Sequence, residues 1–121
     1  MNSLEYNFEY LFLKGILLPH QSFPGVYRKG IMIKNIEKDE ELYLAFINNE
    51  NYDLFGSDGS YFGIVNISEM AMNHYELFNL VDKIRDYLEK SPVAPEMKQI
   101  NLKMREGDDF FAESKLEELI N

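Results

Sequence analysis

The chain has 121 residues, enough for one domain and too few for two ordinary ones. With 45% hydrophobic residues, nine Phe, eight Tyr and only 4 Pro, it can close a core, which excludes an intrinsically disordered polypeptide. The 21 acids against 12 bases give a net charge of −9. That charge argues against nucleic acid and anionic membranes as partners, because both are held mainly by Lys and Arg.

The predicted elements begin with Leu4-Glu5-Tyr6-Asn7-Phe8-Glu9-Tyr10, which alternates apolar and polar residues as a half-buried strand does. The same stretch also reads as a helix. Ser3 would cap it, Leu4, Phe8, Leu11 and Phe12 would share one face, and Gly15 would stop it. The expectation for residues 4–14 is helix, with strand as the alternative. Pro19 to Gly25 is a loop by its breakers. From Gly30 onward the chain resembles an antiparallel β-meander, with strands at Ile31–Ile36, Leu42–Ile47, Tyr52–Phe55 and Tyr61–Ile67. A helix over Asp39–Asn49 is the rival to the second of these. Asp58-Gly59 between apolar runs predicts a hairpin with a two-residue type I′ turn. At strand period two, Tyr61 and Gly63 would face one way and Phe62 and Ile64 the other.

Leu77, Val81, Ile84 and Leu88 mark a helix over 74–90, with Asn73 and Glu76 as a capping box and Ser91-Pro92 as its stop. After the 92–95 linker, Ile100, Leu102 and Met104 alternate with polar residues and suggest a strand. A last helix follows Gly107, with Ala112, Leu116, Leu119 and Ile120 on one side. The fold class is α+β: a largely antiparallel β-meander sheet with two to three helices packed on one face, in a single domain over 1–121.

Zero Cys excludes disulfides, thiolate nucleophiles and Cys-ligated metal centres, and suits a reducing cytoplasm. The N-terminal residues have neither the basic n-region nor the apolar h-region of a secretion signal, and the longest apolar run, Leu42–Ile47, is far short of a membrane span. The expected location is the cytoplasm. The Asn66-Ile67-Ser68 sequon is then incidental.

No motif names a reaction. Only His20 and His74 are available as imidazole bases, and neither lies beside a nucleophile elbow. The glycine-rich stretch Gly56–Gly63 lacks the Gly-Lys-Ser/Thr of a phosphate loop. Its register as a calcium loop would put Leu54, Gly56 and Val65 at ligand positions. The sequence therefore points away from an enzyme and assigns no catalytic residue, cofactor or metal. A small enzyme or ligand-binding domain using the His20 loop is the alternative. A structural subunit assembling through sheet edges is another, and the oligomeric state is open.

Charge position says more than charge total. Residues 37–82 hold ten acids against Lys38 alone, and the tail from 106 holds six acids against Lys115. An acidic run is often only a solvated face, but this one is interleaved with tyrosines. Carboxylates steer a basic partner and Tyr supplies rigid anchors, so Glu37, Asp39, Glu40, Glu41, Tyr43, Glu50, Tyr52, Asp53, Asp58 and Tyr61 form the candidate partner-binding set. In size, charge and pattern the chain resembles the small, acidic, Cys-free α+β immunity proteins that bacteria encode beside polymorphic or contact-dependent toxins. The resemblance rests on Glu37–Glu41, Asp53, Asp58 and the interleaved tyrosines. It implies a cognate toxin, often a nuclease, neutralised by stoichiometric occlusion. Phage-encoded inhibitors of nucleic-acid-binding host proteins share the same physical signature.

Overall fold

In the computed structural model, residues 5–8, 10–73, 82, 86, 96–103 and 112–120 are described. The alternating stretch near the N-terminus forms two strands, β1 (Glu5–Phe8) and β2 (Leu11–Pro19), paired antiparallel. The expected helix over 4–14 is therefore corrected to strand at 5–8 and 11–14. Nine consecutive residues of β2 pair with β3 (Tyr27–Asn35), and Gly15, cast above as a helix stop, lies mid-strand opposite Ile31. A ladder of that length satisfies the backbone groups of both strands while side chains leave by both faces. An amphipathic helix would bury only one stripe.

Then come β4 (Glu40–Phe46), β5 (Asn51–Gly56) and β6 (Tyr61–Asn66), so the rival helix over 39–49 does not form. The six strands lie in the sheet in chain order, each antiparallel to its neighbours. A two-residue strand, β7 (Glu96–Met97), adds parallel to β2 at Ile16 and Leu17. The outer edge of β2 is thus divided between β1, along 11–14, and β7, along 16–17.

The hairpin expected at Asp58-Gly59 is present, but its turn differs. Gly56 and Ser60 close a three-residue loop through Gly56 N–H to Ser60 O at 2.8 Å, and Gly59 N–H donates to Gly56 O at 3.0 Å. Of the two central residues only Gly59 has a positive φ, +89°, the mark of a type I turn with a bulge rather than a I′ turn. The Asp58 side chain holds the loop by accepting from Ser60 N–H at 2.9 Å.

Among the described residues, two helices with defined bounds follow β6. In α1 (Ile67–Asn73), Asn66 is the cap, its Oδ1 accepting from Glu69 N–H at 3.0 Å. Asn73, expected to cap the next helix, is already inside α1. The 74–90 helix falls outside the described residues, apart from Asp82 and Asp86, which are both helical. Residues 100–103 join no ladder, so the strand expected there is replaced by the short β7. The last helix, α2, runs Ala112–Ile120 and buries the four residues expected of it. Sheet and helices together make an α+β fold.

The sheet has two apolar faces. Leu13, Ile31, Ile33, Leu42, Leu44, Tyr52, Leu54 and Val65 form one cluster with residues of α1 and α2. Their strand neighbours Ile16, Leu18, Met32, Tyr43, Ala45 and Phe55 form a second on the opposite face, against Ile100 and Leu102. Each fully buried Leu or Ile contributes about 1.5–3 kcal/mol, so neither cluster is an accessory.

The C-terminal end of α2 is held from the sheet. The last carbonyls of a helix lack intrahelical donors. Here Tyr10 donates its hydroxyl to Ile120 O at 2.7 Å, Asn35 donates Nδ2 to Leu119 O at 2.6 Å, and the Lys38 ammonium donates to Glu118 O. Asn35 also accepts from Lys38 N–H at 2.9 Å, so one buried amide fixes both the β3–β4 turn and the helix. Asn35→Ala is expected to lower the free energy of unfolding in urea by about 2 kcal/mol, because it strands a buried carbonyl.

Candidate functional site

Strand direction decides where the acidic residues meet. In a sheet with antiparallel neighbours, alternate turns lie at the same end, so the β3–β4 and β5–β6 turns are neighbours. Asp39 sits in the first with φ 53°, a left-handed conformation that a short polar side chain tolerates. Asp58 sits at the tip of the second. The two turns and α2 enclose an open cleft of about 590 Å³. Asp39, Glu40, Glu41, Asp58 and Glu118 line it, with Lys34 and Lys115 the cations, and Leu42, Phe62 and Leu119 the apolar part.

The charges at this end are only partly compensated. Lys34 pairs with Asp39 at 3.3 Å, and Lys115 lies 3.8 Å from Glu118 with its ammonium 5.3 Å from the centre of the Phe62 ring. Such exposed pairs are worth little and leave a field of negative sign. The Ser60 amide and hydroxyl hold the Asp58 carboxyl below its ordinary range, so it is charged throughout the neutral range. Among the described residues no three carboxylates converge closely enough to hold a metal ion.

Four of the ten expected partner-binding residues thus line one cleft: Asp39, Glu40, Glu41 and Asp58. Glu37 is exposed in the β3–β4 turn at the same end. Glu50 is also exposed, but it sits in the β4–β5 turn at the opposite end of the sheet. It does not join the others.

The tyrosines and Asp53 are placed otherwise. Tyr43 and Tyr52 are each 1% exposed and Asp53 0%, which removes all three from any docking surface. The physical reason is that both faces of β4 and β5 are covered, so neither set of alternating side chains reaches water. Tyr52 stacks edge-on against Phe46, their centroids 5.9 Å apart. Tyr43 donates its hydroxyl to Glu41 Oε1 at 2.6 Å, under the Lys98 ammonium, 5.9 Å from the ring centre. Burial, then the hydrogen bond to Glu41 and its charge, push the Tyr43 phenol well above its ordinary value of 10.0.

Asp53 belongs to a buried polar network. Arg28 donates to Asp53 Oδ2 at 2.9 Å, to the carbonyls of Ala45 and Phe46, and to Gln21 Oε1. Tyr61 donates its hydroxyl to Asp53 Oδ1 at 3.0 Å. Half-buried Tyr61 is thereby tied to the second apolar face, beside Phe55. A bulge modifies the expected alternation in β6. Tyr61 pairs with Phe55 and Gly63 with Leu54, leaving Phe62 as the extra residue. Tyr61 and Ile64 therefore share the face of Asp53, while Phe62 turns to the cleft and the first cluster.

His20 is committed to its own loop. Its Nδ1 accepts from Ser22 N–H at 3.0 Å and its ring packs on Phe23 at 4.8 Å. His74 lies outside the described residues. Among the cleft residues that sequence reasoning missed are Lys34, Phe62, Lys115 and Glu118. The six acids of the tail were the available signal for Glu118, but nothing in the spacing places residue 118 beside 39–41 and 58. That adjacency comes from the side-chain bonds that dock α2.

Two outcomes follow from the buried groups. Asp53→Ala leaves a partly buried guanidinium without its counter-charge and is expected to cost about 3 kcal/mol in urea unfolding, against about 1 kcal/mol for Tyr61→Phe. Because the folded Tyr43 phenol has a raised pKa, its contribution is complete below about pH 10 and is lost as pH rises further, since only the unfolded chain releases that proton. The urea midpoint is expected to fall between about pH 9.5 and 11 more steeply in the natural protein than in Tyr43→Phe. Compared with protein-family models, curated proteins and solved structures, the chain matches none.

Proposed function

We propose that this chain is an immunity-type protein that binds a basic toxin domain, a nuclease among the candidates, and neutralises it by stoichiometric occlusion. The observation that carries the proposal is the convergence of Asp39, Glu40, Glu41, Asp58 and Glu118, from three separate elements, on one open cleft. The net charge of −9 supplies the long-range attraction, and the dispersed carboxylates match a lysine- or arginine-rich surface rather than a small ion. In this reading the docking surface is the acidic end of an antiparallel meander whose helices cover one face, and the complex forms in the cytoplasm. Leu42, Phe62 and Leu119 give the cleft an apolar floor for the stems of basic side chains.

The test uses the protein encoded beside this one as the toxin. Co-expression is expected to relieve its toxicity, and the purified pair to sediment as a one-to-one complex. The double variant Glu40→Lys and Asp58→Lys, altered only at exposed positions, is expected to slow association about tenfold and to flatten its salt dependence, with dissociation less affected. Association at the natural rate by that variant would remove the cleft as the docking surface. Absence of any complex would remove the immunity reading.

A further inference from the structure

Residues 98–103 leave the edge of β2 and run across the second apolar face to the far hairpin. At the near end, Glu96 and Met97 pair with Ile16 and Leu17, Lys98 N–H donates to Leu17 O at 2.8 Å, and Glu96 forms an ion pair with Lys14. In the middle, Ile100 and Leu102 pack on the cluster of Ile16, Met32, Tyr43 and Phe55, and Gln99 donates Nε2 to the Tyr27 hydroxyl at 2.8 Å. At the far end, Lys103 N–H donates to Gly59 O at 3.0 Å. A Cβ on Gly59 would stand 2.3 Å from Asn101 O, so the segment lies directly on the hairpin backbone.

We infer that residues 98–103 are a strap that positions the β5–β6 hairpin, with Gly59 as the positioning residue for the acidic cleft. The functional part of this inference rests on the docking reading above. The hairpin supplies Gly56, Ser57, Asp58 and, just beyond it, Phe62 to the cleft wall. Among the described residues, its loop is otherwise held by its own short-range bonds. The strap ties that loop to β2, at the other side of the sheet, and reaches it from the face opposite α2. Gly59 answers two demands at once: a φ of +89° and a backbone contact that leaves no room for a side chain.

Hydrogen exchange of the full chain tests the strap without a partner. Leu102→Ala, half-buried and outside the cleft lining, loosens the strap without adding an atom against the hairpin. It is expected to speed exchange of the Gly56, Gly59, Ser60 and Lys103 amides by about tenfold, while the β2–β3 ladder keeps its natural rates. Gly59→Ala is expected to do the same by dislodging Asn101. An opened Lys103 amide with an unchanged hairpin in Leu102→Ala would overturn the inference. Association with the partner is measured on the same variants. A hairpin that loosens while association is unaltered would leave the strap as a structural tie but overturn Gly59 as a positioning residue for docking. Loss of affinity in Glu40→Lys and Asp58→Lys, with none in a loosened Leu102→Ala, separates that outcome from failure of the docking surface itself.

Discussion

The central strands β4 and β5 are out of water on both faces, and the rest of the molecule is arranged around that constraint. A sheet exposed on one side reads as alternating apolar and polar residues, whereas Leu42 to Ala45 and Tyr52 to Gly56 are buried without a break. Polar groups caught there must be satisfied internally. Asp53 is, through Arg28 and Tyr61, and Tyr43 is, through Glu41. Among the described residues, no buried side-chain nitrogen or oxygen lacks a partner. The aromatic and acidic residues that look from composition like a recognition surface are in part the means by which a doubly covered sheet solvates itself.

The two covers differ in kind. One face is closed by helices, of which α2 is fixed by three side chains bonding its final carbonyls from β3 and the turns beside it. On the other, among the described residues, the extended segment 98–103 packs through Ile100 and Leu102 and is bonded near both of its ends. Both covers finish at the hairpins that carry the acidic cleft. The helix contributes Glu118 and Lys115 to its wall, and the strap lies on Gly59, next to Asp58. The geometry of the candidate site is thus a consequence of how each face was closed, and no single element contains it.

The cleft itself joins weakly compensated carboxylates on rigid turns to an apolar floor. Exposed ion pairs such as Lys34–Asp39 hold side chains loosely and leave them free to exchange partners. In the proposed docking, charge placed this way would act through association rate and selectivity, with the apolar floor setting how long the complex lasts.

The sequence by itself determined the strands from Gly30 to Ile67, the hairpin at Asp58-Gly59 and the apolar stripe of α2. Only the strand at 42–47 has a local rival, a helix over 39–49; in the others a local period or a turn residue favours one arrangement. It also determined the sign of the surface and the concentration of acids after residue 36. Only the tertiary structure decided the rest. Residues 4–14 satisfy both a helical and a strand pattern, and the pairing of residues 11–14 with β3 decides between them through partners 18 or more positions away. Whether Tyr43 and Asp53 face water depends on the second face, where Ile100 and Leu102 pack among the described residues, and whether Tyr52 does depends on the first, where α1 and α2 pack. Glu50 and Asp58 look alike in the sequence, but the strand directions send them to opposite ends of the sheet. Period and propensity are local quantities, whereas burial and the meeting of charges are set by contacts between distant parts of the chain.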